Sequence, residues 1–149
     1  MGSYLRFAAM IVTSTLVMFA LMYAHTYQLD HVYFSETRLY MALIMGASMT
    51  IVMLAFMLGM YKRASLNVGI FAVAILVLSA AMYLMRSQIL VDDVSYMKGM
   101  IPHHSIAILT SERARITDPR VRKLADAIIE AQRKEIAEMK GLVRDLEAR

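Results

Sequence analysis

The stretch Leu39–Met60 reads LYMALIMGASMTIVMLAFMLGM and contains no charged residue. A helix of about 20 apolar residues crosses the roughly 30 Å hydrocarbon core of a bilayer, because each helical residue adds about 1.5 Å. Two more apolar stretches of similar length lie on either side of it, Leu5–Ala24 and Leu66–Met85. The sequence therefore predicts an all-α fold that begins with three transmembrane helices.

Charge divides the chain into two parts. The composition is 59% hydrophobic and only 19% charged, and between Leu39 and Met85 the only charged residues are Lys62 and Arg63. We predict a membrane domain over residues 1–88 and a water-facing domain over residues 89–149. The net charge of +4 does not indicate a nucleic-acid partner, because the basic residues of the tail alternate with acids. The absence of cysteine excludes disulfides, thiol catalysis and zinc–thiolate sites.

Basic residues also predict the orientation in the membrane. Arg6 lies at the very start of the first span, and Lys62 and Arg63 lie between the second and third, so they share one side of the membrane. Basic loops usually stay in the cytoplasm. We expect a bacterial inner membrane protein with a cytoplasmic N-terminus, an uncleaved first span, and a periplasmic C-terminal domain.

The tail reads as two helices. The first is predicted over Asp92–Ile116 with a bend at Pro102, because proline removes a helical hydrogen bond. Thr117-Asp118-Pro119 is a typical helix start, with Thr117 or Asp118 as the cap, and the second helix extends to about Leu146. The short turn predicts an antiparallel hairpin. Since neither Gly nor Pro interrupts Ser87–Val91, the third span is predicted to run almost directly into this hairpin.

The second tail helix has a predicted seam with steps of four and three residues, the heptad pattern. Its members are Val121, Ala125, Ile128, Gln132, Glu135, Met139, Leu142 and Leu146. Burying an unpartnered carboxylate costs several kcal/mol in order of magnitude, so Glu135 should have a partner or reach water.

Folding the hairpin about Thr117-Asp118 brings soft and polar side chains to one level. His104 comes level with Gln132, and Met97 with Met139. Thioethers and imidazoles favour Cu(I) or Ag(I), and a carboxylate with imidazoles also suits Cu(II). The candidate metal ligands are Met97, Met100, His103, His104, Glu135 and Met139, with Asp93, Gln132, His25 and His31 as secondary candidates. The alternative interpretation is that the methionines fill the core and the histidines cap a bent turn.

Two runs carry a family resemblance. MIPHHSIAI at Met100–Ile108, followed by LADAIIEAQRKEIAEM at Leu124–Met139, resembles the domain of unknown function 305 family. The resemblance implies a small ferritin-like helical protein of the bacterial envelope, similar to copper- and silver-binding proteins with methionine and histidine ligands. The matching positions are the six candidate ligands given above. Where many members have a further methionine, this chain has Thr110, which leaves open whether the site is weakened or lost.

The second span also contains a methionine at every fourth position, namely Met41, Met45, Met49, Met53 and Met57. A four-residue step drifts by about 40° on a straight helix, so these side chains wind around it instead of lining one path. We therefore favour helix packing over metal conduction, and no acid or histidine within the spans marks a relay.

These observations predict a membrane-anchored, extracytoplasmic copper- or silver-binding protein that buffers metal or hands it to a partner. We expect a homodimer or larger homo-oligomer in which two hairpins form a four-helix bundle, because one short hairpin cannot bury its seam alone. The rival hypothesis is a structural or accessory subunit of a membrane assembly that binds no metal. An enzyme is the third hypothesis: Glu135 and His104 could transfer a proton, but the sequence shows no nucleophile or nucleotide motif, and we expect no catalysis.

Overall fold

A computed structural model describes residues 2–148, and in that range it contains five α-helices, one short 3-10 turn and no strand. The helices are α1 (Ser3–Leu21), α2 (Glu36–Phe56), α3 (Ala64–Ser87), α4 (Asp93–Arg113) and α5 (Pro119–Glu147), with the 3-10 turn at Leu29–His31. The all-α prediction is confirmed. The described residues form two compact units, one of residues 2–22 with 37–90, and one of residues 23–36 with 91–148.

The first unit contains α1, α2 and α3, and all three are long and apolar enough to cross a membrane. This confirms the prediction of three candidate spans and indicates association with a membrane. Phe7, Leu54 and Tyr61 form a buried cluster in this unit, against which Met53 and Met57 of the methionine series pack. The Tyr4 hydroxyl accepts the Arg63 N–H at 3.0 Å, so the start of α1 lies beside the connection between α2 and α3.

Helices α1 and α2 approach closely at Gly46. A Cβ atom at this position would collide with the Thr15 hydroxyl, whereas a Cβ atom at Gly69 would meet nothing within 4 Å. Small residues commonly allow such close contacts between membrane helices. Gly46 therefore allows α2 to approach α1 at the level of Thr15.

Helix α3 does not continue into α4. Gln88 adopts a left-handed conformation with φ of 52°, and its N–H donates to the Leu84 carbonyl. Asp92 then caps α4 by accepting the Ser95 N–H at 2.7 Å. The predicted direct run through Ser87–Val91 is wrong, because a non-glycine residue takes the helix-ending conformation that glycine usually supplies.

Helices α4 and α5 pack against each other in the second unit. Ion pairs join Lys98 to Glu147 at 2.5 Å and Glu112 to Arg133 at 2.6 Å. As predicted, α5 begins at Pro119 with Asp118 as the cap, whose carboxylate accepts the Arg120 N–H at 2.8 Å. Pro102 lies inside α4 and is buried.

The seam of α5 differs in phase from the prediction. Ala125, Ile136 and Val143 are buried, whereas Glu135 has a side chain 50% exposed and Leu142 is 46% exposed. The steps of four and three residues are exchanged, so apolar Ile136 enters the core in place of Glu135. Glu135 thereby avoids the cost of burying a carboxylate.

Segment 23–36, which joins α1 to α2, packs on the helix pair. Tyr27 and Tyr33 contact the buried cluster of Ile101, Ile108 and Ile136. The segment contributes aromatic cover to a core that the two helices alone leave open on one side.

Candidate metal centre

A cavity of about 550 Å³ lies between α4 and α5. Four of the six candidate ligands line it, together with one secondary candidate: Met97, His104, Glu135, Met139 and Asp93. The other lining residues are Tyr96, Glu138, Leu142, Asp145 and Leu146. Both helices thus contribute soft and polar side chains to one space.

His104 and Glu135 form a polar pair in this cavity. The Nδ1 atom of His104 lies 3.0 Å from Oε2 of Glu135. That distance suits a hydrogen bond, but Nδ1 makes no hydrogen bond of ordinary geometry with the described residues, and the atom is shielded from solvent. The two atoms are therefore within ion-pair distance if the imidazole is protonated, but they do not make a regular hydrogen bond. A buried nitrogen without a partner is costly unless something else bonds it.

Burial also lowers the pKa of His104 below its ordinary value. The Glu135 carboxylate opposes this by raising the pKa, and His103 lowers it further. The net effect favours the neutral imidazole at neutral pH. Neutral imidazole is the form that binds a metal.

Two thioethers accompany this pair. Met97, on α4, is buried, and Met139, on α5, is partly buried against the Ile101 cluster. A neutral imidazole, two thioethers and a carboxylate make a donor set that fits soft monovalent ions. The residues present therefore fit the metal that the family resemblance implies.

The remaining candidates do not line this cavity. Met100, His103 and Gln132 are not among the described residues that line the cavity. The ring centroid of His103 lies 6.1 Å from that of His104, and the Gln132 amide donates to Glu135 Oε2 at 3.5 Å. His25 is exposed.

His31 lies at a separate cavity of about 270 Å³, whose lining also includes Asp30 and Lys140. Its imidazole is buried, and its Nδ1 lies 3.0 Å from the Ser105 hydroxyl. Within residues 2–148, no three or more His, Asp or Glu side chains come together as a metal-binding group. A metal between α4 and α5 would therefore need the thioethers as ligands.

Two acidic residues of the cavity were missed by the sequence reasoning. Glu138 and Asp145 lie on α5 with Glu135, and both line the cavity. Residues at i, i+3, i+7 and i+10 share one face of a helix, so this spacing from Glu135 could have found them. Thr110 is exposed, and its hydroxyl donates to the Ile106 carbonyl at 3.0 Å.

One comparison with known proteins covers the same two helices. Residues 93–149 match the family model described as Domain of unknown function (DUF305). Uncharacterized protein L153 of Acanthamoeba polyphaga mimivirus is 41% identical over 73 residues, which is 48% of this chain and 48% of that protein. The chain thus matches about half the length of this relative. No solved structure matches it.

Proposed function

We propose that the chain is a membrane-anchored, extracytoplasmic protein that binds copper or silver in order to buffer the metal or hand it over. The observation that supports this most is the shielded Nδ1 of His104, which lies 3.0 Å from Glu135 without making a regular hydrogen bond, in a cavity also lined by Met97 and Met139. The proposal gives the chain no catalytic role.

Each cavity residue has a chemical part in this proposal. His104 offers a neutral nitrogen, and Met97 and Met139 offer polarisable sulfurs, which prefer Cu(I) and Ag(I). Glu135 supplies a negative charge beside the imidazole. Asp93, Glu138 and Asp145 add carboxylates around the same cavity, and acids lining a cleft raise the local concentration of cations.

We also propose that α4 and α5 are an antiparallel hairpin that pairs with a second copy as a four-helix bundle. Contacts join residue 98 to 147, 104 to 135 and 112 to 133, so numbers rise on one helix as they fall on the other. Val121, Leu124 and Leu142 of α5 are roughly half exposed or more, and a second copy would cover them. A metal-delivery partner or a membrane complex would then receive the metal.

The proposed location is a bacterial inner membrane, with the N-terminus in the cytoplasm and the metal site in the periplasm. Arg6 lies near the start of α1, and the Tyr4–Arg63 contact brings that start beside Lys62 and Arg63. These three basic residues thus lie at one end of the first unit, and basic ends usually face the cytoplasm.

Titration of Ag(I) into the full-length protein in detergent tests the metal site. Met97→Leu combined with His104→Ala should weaken binding at least about tenfold, or about 1.4 kcal/mol, because a soft ligand and a nitrogen ligand are lost. The matched control is Met100→Leu with His103→Ala, which changes the same residue types outside the cavity lining and should bind like the parent. Equal binding by the parent and both double variants would rule this cavity out.

An accessory role in a membrane assembly is the second candidate. It is favoured by the exposed apolar side chains of α5, and by the lack of a group of three or more His, Asp or Glu ligands within residues 2–148. Under this role the chain binds no Ag(I), and apolar substitutions such as Gln132→Leu and Glu135→Leu are neutral or stabilising. Loss of Ag(I) binding in Glu135→Leu would instead favour the metal site.

A further inference from the structure

We propose that Ser105 is a positioning residue for the metal ligand His104, and that segment 23–36 holds Ser105 in place. This inference rests on the proposed function, since it assigns a role in metal binding to residues outside the cavity. It makes the connection between the first two membrane helices a part of the metal site's support.

The Ser105 side chain is held by two groups of the segment. It has no exposed surface, and its hydroxyl oxygen accepts the Tyr27 backbone N–H at 2.7 Å. The Nδ1 atom of His31 lies 3.0 Å from the same oxygen. A buried hydroxyl with two partners resists displacement, because moving it would leave a backbone N–H and an imidazole unpaired.

The two contacts of Ser105 act on a part of α4 that lacks one backbone hydrogen bond. Pro102 has no N–H, so the Lys98 carbonyl lacks its usual partner one turn earlier in the helix. The turn that follows carries His104 and Ser105, and its own backbone constrains it less than an unbroken helix would. Contacts from outside the helix therefore have more influence on its rotation.

Rotation of this turn decides where His104 points. Consecutive helical residues are about 100° apart, so fixing Ser105 towards the segment fixes the direction of His104 as well. His104 then meets Glu135 across the cavity at 3.0 Å. Groups that orient metal ligands support their affinity, and Ser105 would do so through the helix backbone, without touching His104.

The same segment also contacts α5. Asp30 forms an ion pair with Lys140 at 2.6 Å, and Tyr27 packs against the cluster to which Ile136 of α5 belongs. The segment thus bridges α4 and α5 on the side of His31, while both helices contribute ligands to the cavity. Because coupling between two sites is reciprocal, metal binding should in turn stabilise the segment.

Ser105→Ala in the full-length protein tests the positioning role. We expect Ag(I) affinity to fall about tenfold or more, the size usual for the loss of an outer contact of a metal ligand. Ser95→Ala is the matched control, because the Ser95 hydroxyl donates to Glu36 of the same segment at 3.0 Å but lies in the first turn of α4. Ile108→Val is the stability control, since Ile108 is buried in the same helix. The Ag(I) affinity of both controls should lie within about twofold of the parent's, which is small beside the tenfold loss expected for Ser105→Ala.

Hydrogen exchange supplies a readout that general destabilisation would not produce. Adding Ag(I) to the parent should slow exchange of the Tyr27 amide, and leave unchanged the Ser95 amide that Asp92 caps. The positioning role is wrong if the parent binds Ag(I) and Ser105→Ala binds it equally well. It is also wrong if Ser105→Ala and Ile108→Val have the same Ag(I) affinity. In both cases the metal site stands. If the parent does not bind Ag(I), the proposed function fails and this inference fails with it.

Discussion

Two of the four histidines are withdrawn from water, and each meets a different set of charges. Burial lowers the pKa of His31, Lys140 lowers it further, and Asp30 partly opposes this. Burial likewise lowers the pKa of His104, with Glu135 opposing and His103 assisting. Both imidazoles are therefore held neutral in the folded chain at neutral pH, where one supports the segment and the other faces the cavity.

We expect the free energy of unfolding to fall when the pH decreases below about 6.5, the ordinary pKa of histidine. A pKa that is lower in the folded state means that the unfolded chain binds protons first, so acid favours unfolding. The contribution is complete above the unfolded pKa and is lost as the pH falls towards the folded pKa. Thermal unfolding of the full-length protein between pH 5 and pH 8 measures it.

His31→Asn provides the comparison for this pH dependence. The amide can keep a polar atom near Ser105 but does not titrate, so this variant should lose less stability on acidification than the parent. An unchanged slope in His31→Asn would mean that His31 does not contribute.

At the scale of the helix, Ile136 occupies the place in the seam of α5 that the sequence predicted for Glu135. This difference decides which residues stabilise the helix pair. Ile136 is 4% exposed and belongs to the Ile101 cluster, whereas Leu142 remains about half exposed at the cavity. Both are large aliphatic residues on the same helix. The stability lost when each is truncated therefore distinguishes the observed seam from the predicted one.

Ile136→Ala should reduce the free energy of unfolding by about 2–5 kcal/mol, because it leaves a cavity in a closed cluster. Leu142→Ala should cost about 1 kcal/mol or less, because only half of its surface is withdrawn from water. Chemical denaturation followed by circular dichroism compares the two variants. A larger loss in Leu142→Ala would restore the predicted seam.

The sequence contains enough information for the helices and the cap at Asp118, because apolar length and local hydrogen bonding decide both. It does not decide the phase of α5, since Ala125, Gln132 and Met139 fit both heptad registers and only packing selects Ile136 over Glu135. The end of α3 at Gln88 was not predicted, because no glycine lies there to indicate it. Folding two helices together predicts that Met97, His104, Glu135 and Met139 lie near one another, but it also places Met100 and His103 with them, and these two do not line the cavity.

For the whole molecule, the two compact units are not consecutive parts of the chain. Segment 23–36 lies between α1 and α2 in sequence but belongs to the unit of α4 and α5. Its contacts with Ser105 and Lys140 span 74 to 110 residues. No local pattern could predict these contacts, because each depends on packing between distant parts of the chain.

The absence of cysteine allows a direct test of the proposed orientation, because any introduced thiol is unique. Lys123→Cys on α5 should react with a membrane-impermeant thiol reagent in intact bacterial cells. Lys62→Cys, between α2 and α3, should react only after the membrane is permeabilised. Both positions are exposed in the protein, so folding does not hide either thiol. The reverse labelling pattern would invert the orientation.

The contact between Tyr27 and Ser105 also sets an order of events during synthesis. Chains are made from the N-terminus, so segment 23–36 emerges long before the helices that it covers. Until α5 is complete, Tyr27 and Tyr33 have no Ile136 to pack against, and Asp30 has no Lys140. A chain that stops early would keep these tyrosines uncovered. The unit therefore closes only after α5 has been synthesised as far as Lys140.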